Sequence, residues 1–176
     1  MLTKADKKNA IRQEIIDSDG IYMIKILFIC HGNICRSPIG EYVFRQMVKD
    51  KHLENQILVA SAATSTEELG NPIYPPAQAV LREHGIDPYG HQARQITKKD
   101  YDEYDYLILM DNWNIRNALR FWKEDSEQKM HLVLEYSDEY SGEVDDPWYT
   151  RDFDTAYKQI KSGCAGLLKH IIENDL

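Results

Sequence analysis

A chain of 176 residues, 43% apolar and 28% charged, has the size and balance of one globular domain and is too short for two ordinary ones. Its formal net charge of −8 argues against nonspecific binding to nucleic acid or an acidic membrane surface, so any anion site must be built locally, against the global field. The three cysteines, Cys30, Cys35 and Cys164, are too few and too irregular for a secreted disulfide framework or a finger-like zinc site; with no signal-like start and only strand-length apolar runs, the expected setting is the cytoplasm, without metal or cofactor.

Residues 1–22 differ from the rest: Lys4, Asp6, Lys7, Lys8, Arg12 and Glu14 alternate with few apolar positions. They read as an N-terminal extension: one surface helix, a mobile extension, or a stretch upstream of a native start at Met23. The regular domain is expected over 23–176. Its first strand is Ile24 to Ile29, apolar and β-branched enough to be buried on both faces of a parallel sheet, and it stops at Cys30. After the loop HGNICRS, Pro38 sits where an early helical residue is tolerated, and Tyr42, Val43, Phe44, Met47 and Val48 form an apolar stripe to about residue 51.

A second strand is predicted from Ile57 to Ala60, before the small-residue stretch 61–66. Pro75-Pro76 opens a helix over Ala77 to His84 that ends at Gly85. Thr97 with Asp100 resembles a capping box starting a short helix near Lys98. Tyr106 to Met110 is a third buried strand, Asp111 and Asn112 are candidate caps for the next helix, and His131 to Leu134 is a fourth strand. A polar loop from Glu135 to Arg151 leads to a final helix whose apolar face includes Phe153, Tyr157, Ile160, Cys164, Leu167 and Ile171, making Cys164 a core residue. Strands alternating with helices predict an α/β, Rossmann-like three-layer fold: a central four-stranded parallel sheet with helices on both faces.

In such a sheet, ligands bind outside the carboxyl ends of the strands, and the turn after the first strand is the usual anion site. Cys30 stands there. Gly32 permits tight backbone and Asn33 tolerates the left-handed region, so the loop can turn its amides inward while the following helix adds the positive end of its dipole. Arg36 supplies a planar fork for two phosphate oxygens. Amides, helix N-terminus and guanidinium together favour a thiolate at the point where a phosphate would bind, and Ser37 is placed to donate to that sulfur. A bare C-x5-R spacing would more often mark a buried strand-end cysteine and a surface charge. A preceding strand, a following helix and Gly, Asn and Ser in the loop favour the chemical reading.

The segment ILFICHGNICRSP resembles the signature loop of the low-molecular-weight protein tyrosine phosphatases, which reads C-x-G-N-I-C-R-S. The resemblance continues through SAATS at 61–65, GNP at 70–72, HQARQIT at 91–97, LILMD at 107–111 and DPWY at 146–149, and covers nearly everything from Met23 onward. It implies a phosphatase acting on phosphotyrosine proteins or small aryl phosphates through a phosphocysteine at Cys30, with phosphate as product and inhibitor. Arg36 and the loop residues His31, Gly32, Asn33, Ile34, Cys35 and Ser37 would hold the phosphoryl group.

Transfer from a phenolic oxygen needs an acid, and hydrolysis of the phosphocysteine needs a base. The run Asp145-Asp146-Pro147-Trp148-Tyr149 offers a stiffened carboxyl beside aromatics suited to a phenyl slot, and pattern alone does not separate the two aspartates. The resemblance assigns the role to Asp146. It also implies a reversible Cys30–Cys35 disulfide, and hydrogen-bonding support from Asn33, Ser61 and His91. Three positions depart from the family pattern: His31 stands where a hydrophobic residue is usual, Glu67 where an aromatic often flanks the slot, and Trp148 where tyrosine follows the acid-proline pair. His31, facing the bound phosphate as an imidazolium, would add affinity at mildly acid pH. Two other readings fit the same loop. A related arsenate reductase would need two further mid-chain cysteines, and none lies between Cys35 and Cys164. A silent phosphotyrosine-binding module would bind without turnover.

Overall fold

The computed structural model describes residue 20 and residues 22–176, so the expected extension lies, apart from Gly20 and Tyr22, outside the described residues. β1 (Ile24–Cys30) runs up the middle of the sheet because, Lys25 near its start apart, it is apolar throughout: the five side chains from Ile26 on are fully or nearly fully buried. It pairs in parallel with β2 (Ile57–Ala63) on one side and β3 (Tyr106–Leu109) on the other, and β3 pairs with the short β4 (Met130–Leu132), giving the order β2-β1-β3-β4. The register sets Cys30 beside Ala63, and Ile29 beside Leu109, so the strand ends that carry the loops finish together.

Alternation along β1 divides the interior into two layers. Ile24, Ile26 and Phe28 pack into the larger one, with α1 (Arg36–Asp50), α2 (Pro75–Glu83) and the long α6 (Phe153–Asn174). Leu27 and Ile29 face the smaller, with Tyr101 of α3 (Lys98–Glu103) and Ile115 and Ala118 of α4 (Asn112–Trp122). Close approach is written into two helices. A Cβ on Gly40 of α1 would lie 2.7 Å from the Phe28 ring, and one on Gly166 of α6 would lie 1.7 Å from the Tyr136 carbonyl oxygen. Cys164 is fully buried in the larger layer, as its place on the helix predicts.

The three-layer α/β fold is the one expected, with shifted boundaries. β2 continues to Ala63, because Ser61 to Ala63 are small enough to stay buried beside β1. α1 begins at Arg36, two residues before Pro38. The fourth strand is Met130–Leu132 rather than His131 to Leu134: Val133 and Leu134 turn into a 3-10 helix (Val133–Tyr136) that buries them against α6. The expected polar loop 135–151 also holds α5 (Pro147–Thr150), capped by Asp146. The capping signals at Asp100 and Asp111 are used as read: Asp100 Oδ2 accepts from the Thr97 amide at 2.7 Å, and Asp111 Oδ1 from the Asn114 amide at 2.7 Å. At the sheet margins, Ala63 bridges to Gln95, and Arg45 donates to the Val59 carbonyl at 3.4 Å. Among the described residues no helix is long and apolar enough to cross a membrane.

Candidate active site

Cys30 ends β1 with 3% of its surface exposed, and its Sγ lies 3.0 Å from Ser37 Oγ and 3.3 Å from the Asn33 amide nitrogen. The intervening loop turns on Asn33, whose φ of +60° places it in the left-handed region where asparagine is better tolerated than most residues. Every polar group of that side chain is used. Nδ2 donates to Ser37 Oγ and to Ser61 Oγ, both at 2.9 Å, and Oδ1 accepts from the Arg94 amide at 3.1 Å. His91 Nε2 donates to the Asn33 carbonyl at 2.6 Å. The Ser61 hydroxyl donates a hydrogen bond to one carboxylate oxygen of Glu41, whose other oxygen accepts from Arg45. Because Ser37 Oγ already accepts from Asn33, its hydrogen is free for the sulfur, with the Ala62 carbonyl the longer alternative at 3.5 Å.

Arg36 opens α1, where the first amides have no acceptor inside the helix. Only 3% of its surface is exposed, and the guanidinium is held by Nη1 to Asp111 Oδ2 at 2.7 Å and to the Val144 carbonyl at 3.2 Å, with Nη2 3.3 Å from Asp146 Oδ2. Burial pulls its pKa down, but Cys30, Asp146 and Asp111 outweigh that and hold it above the usual guanidinium value. Asp146 in turn accepts the Trp148 amide at 3.1 Å through Oδ1, which orients the carboxyl at the head of α5. One guanidinium thus joins the loop of Cys30 to the loop of Asp146. Asp145 turns away, its backbone amide and carboxylate both engaged by Gln159.

Around the mouth, the backbone strap 65–74 follows the loop: the Ser65 amide donates to the His31 carbonyl at 3.0 Å, and the Tyr74 amide to that of Ile34 at 2.8 Å. His31 Nε2 meets Glu67 Oε2 at 3.0 Å, both side chains well exposed. The Gly32 Cα faces Glu68, whose Cγ a Cβ would meet at 3.4 Å. Trp148 stacks at a tilt on Tyr74 with centroids 5.2 Å apart, and Arg151 lies 5.5 Å over the Trp148 ring while donating to the Tyr74 hydroxyl at 3.3 Å. Tyr149 projects outward, 82% exposed. Cys35 is a free, buried thiol; burial foremost, then Cys30 and Asp146, push its pKa far up, so it stays protonated.

The sequence-predicted residues therefore gather at one end of the sheet, with His31 engaged by Glu67. Sequence reasoning assigned Asp111 only a capping role, yet its second oxygen anchors Arg36. The available signal was its position: it follows the strand adjacent to β1 and so reaches the same end of the sheet. Glu41, Tyr74 and Arg151 gave no such signal, since each reaches the site through a fold contact far from it in sequence.

A sequence model described as low molecular weight phosphotyrosine protein phosphatase matches residues 25–175. A curated protein of that name from Gallus gallus is 41% identical over 148 residues, covering 82% of this chain and 93% of its own. The low molecular weight protein-tyrosine-phosphatase YfkJ of Bacillus subtilis is 39% identical over 150 residues, covering 85% and 96%. The crystal structure of YfkJ superposes with a TM-score of 0.84 at 37% identity, covering 88% of this chain and 98% of that one. With the match running through the Cys30 loop to the end of α6, the chain belongs to the low-molecular-weight phosphotyrosine protein phosphatase family.

Proposed function

We propose that the domain over 23–176 hydrolyses phosphotyrosine in proteins, and small aryl phosphates, in two steps through a phosphocysteine at Cys30. The observation that carries the reading is the Arg36 bridge between the sulfur's loop and Asp146. In the first step the thiolate attacks phosphorus, the bond to the phenolic oxygen breaks, and the Asp146 carboxyl gives that oxygen its proton. Arg36, fixed on one side by Asp111 and Val144, stabilises the equatorial oxygens together with the loop amides of His31, Gly32, Ile34 and Cys35. In the second step water attacks the phosphocysteine, Asp146 takes the proton, and the sulfur leaves as a thiolate that Ser37 hydrogen-bonds; inorganic phosphate is released.

The phenyl ring would lie between the His31–Glu67 side of the mouth and the Trp148–Tyr74 pair, with Tyr149 at the outer rim. The three free thiols support a reducing, cytoplasmic setting. The test is turnover of para-nitrophenyl phosphate and a phosphotyrosine peptide in reductant and chelator, with Cys30→Ser alongside. Phosphate release that vanishes in the variant, while the variant still binds phosphate, is the expected result. Release that survives Cys30→Ser would overturn the reading.

A further inference from the structure

The mouth carries two exposed charges of opposite sign, set at different points of its rim. Glu67 sits where the strap 65–74 begins, beside His31, and 69% of its side chain is exposed. Arg151 sits where the strap ends: its guanidinium bonds the Tyr74 hydroxyl and covers Trp148, while the Tyr74 amide is tied to the Ile34 carbonyl. His31 and Ile34 are separated by the turn at Asn33, so the two charges flank different parts of the same loop. Neither charge is spent on the chemistry. Arg151 touches aromatic groups, and Glu67 touches only the exposed imidazole of His31 among the described side chains at the mouth. Both are held in place: Glu67 by its bond to His31, Arg151 by its stacking on Trp148 and its bond to Tyr74.

An extended peptide whose phosphotyrosine enters between these walls must run across the rim, because the ring is committed to the slot. Residues on either side of the phosphotyrosine are then carried toward different rim charges. Extended chain advances about 3.3 Å per residue, so flanking residues one to three positions away reach rim groups within about one Debye length. We propose, resting on the phosphatase reading above, that Glu67 and Arg151 are specificity-determining residues that select phosphotyrosine segments bearing a basic residue on one side and an acidic residue on the other, in a fixed order along the chain. Reversed order places like charges together at both posts. Attraction and repulsion at exposed sites are each modest, so the two orders should differ by about 3- to 10-fold in kcat/KM.

The experiment uses two peptides of identical composition, one with arginines before and glutamates after the phosphotyrosine, the other with the order reversed. Their equal net charge cancels the effect of the protein's overall field. The wild-type ratio of kcat/KM is expected to depart from unity by about 3- to 10-fold and to collapse toward one in 0.5 M salt. The doubly exchanged variant Glu67→Arg/Arg151→Glu, which keeps the net charge, is expected to invert the ratio, and Glu67→Gln or Arg151→Gln alone to bring it part of the way to one. The ratio is internal to each enzyme, so a general loss of activity does not disturb it, and circular dichroism establishes that each variant is folded. A wild-type ratio of one, or a ratio unchanged by the exchange, overturns the inference while leaving the phosphatase reading standing. Hydrolysis of neither peptide by the wild type would overturn both.

Discussion

Asp146 shows how much one side chain's surroundings decide. Its Oδ1 is fixed by the Trp148 amide, and its Oδ2 faces Arg36 at 3.3 Å, so the carboxyl is oriented from below by the head of α5 and from within by the guanidinium. If it protonates the leaving oxygen, its loss matters in proportion to how badly that oxygen needs a proton. Asp146→Ala should slow phosphotyrosine, a poor leaving group, by about 10²–10⁴-fold and an activated aryl phosphate far less. Steady-state kinetics across a series of leaving-group pKa values checks this, and a uniform loss would remove Asp146 from the role of acid. The pattern Asp-Pro marked a stiff carboxyl, but its choice over Asp145 came from family likeness; the structure adds that Asp145 is engaged by Gln159 instead. Asn33 was legible for a physical reason, since few other residues combine tolerance of positive φ with both donors and an acceptor. Asp111 was legible only in part, because sequence shows an aspartate's local cap but not which neighbour its second oxygen meets across the sheet.

At the scale of elements, α6 and the 3-10 turn over Val133–Tyr136 hold each other by contact too close for any side chain. A Cβ on Gly166 would fall 1.7 Å from the Tyr136 carbonyl oxygen, and one on Gly163 would fall 2.6 Å from that of Val133. Backbone cannot yield as a flexible side-chain end does. Gly166→Ala is therefore expected to cost about 3 kcal/mol or more in urea unfolding. Gly70→Ala is the comparison: it has open space but a φ of +79°, and should cost about 1 kcal/mol through backbone strain alone. Equal costs would refute the packing account. The same contact explains why the fourth strand ends at Leu132. The apolar run through Leu134 looks like strand, and nothing local reveals that α6 draws Val133 and Leu134 out of the sheet into a turn. The strand β1 and the body of α1 face no such competition, because their burial, loop and helix signals agree with one another.

Over the whole molecule, buried protonated groups set the alkaline limit. Cys164 has its thiol pKa pushed far up by burial, and Cys35 by burial, then Cys30 and Asp146. Tyr101 is raised to about 12 by burial and its bond to Asp125, and Tyr136 to about 12 by burial, then Glu135 and Asp175. Each group holds its proton longer in the folded than in the unfolded chain. The thiols' stabilisation is complete below the unfolded value of 9.0 and is lost as pH rises above it, by up to about 1.4 kcal/mol per thiol per pH unit, and that of the tyrosines begins to be lost only above 10.0. Unfolding free energy measured by urea at pH 8 to 11 should fall steeply past pH 9, and Cys164→Ala should make that fall shallower. An unchanged slope in the variant would mean that Cys164 does not contribute.

The sheet's two margins differ in how they finish. Beyond β3 the pairing stops after three residues, when the chain turns aside at Val133. Beyond β2, the Gln95 bridge occupies the upper end, and the Arg45 guanidinium caps the Val59 carbonyl partway down. Brevity on one side and a cation on the other deny a second chain a long, uncharged strand to copy. The same architecture that opens one end of the sheet to an anion thus discourages aggregation by strand addition along its sides.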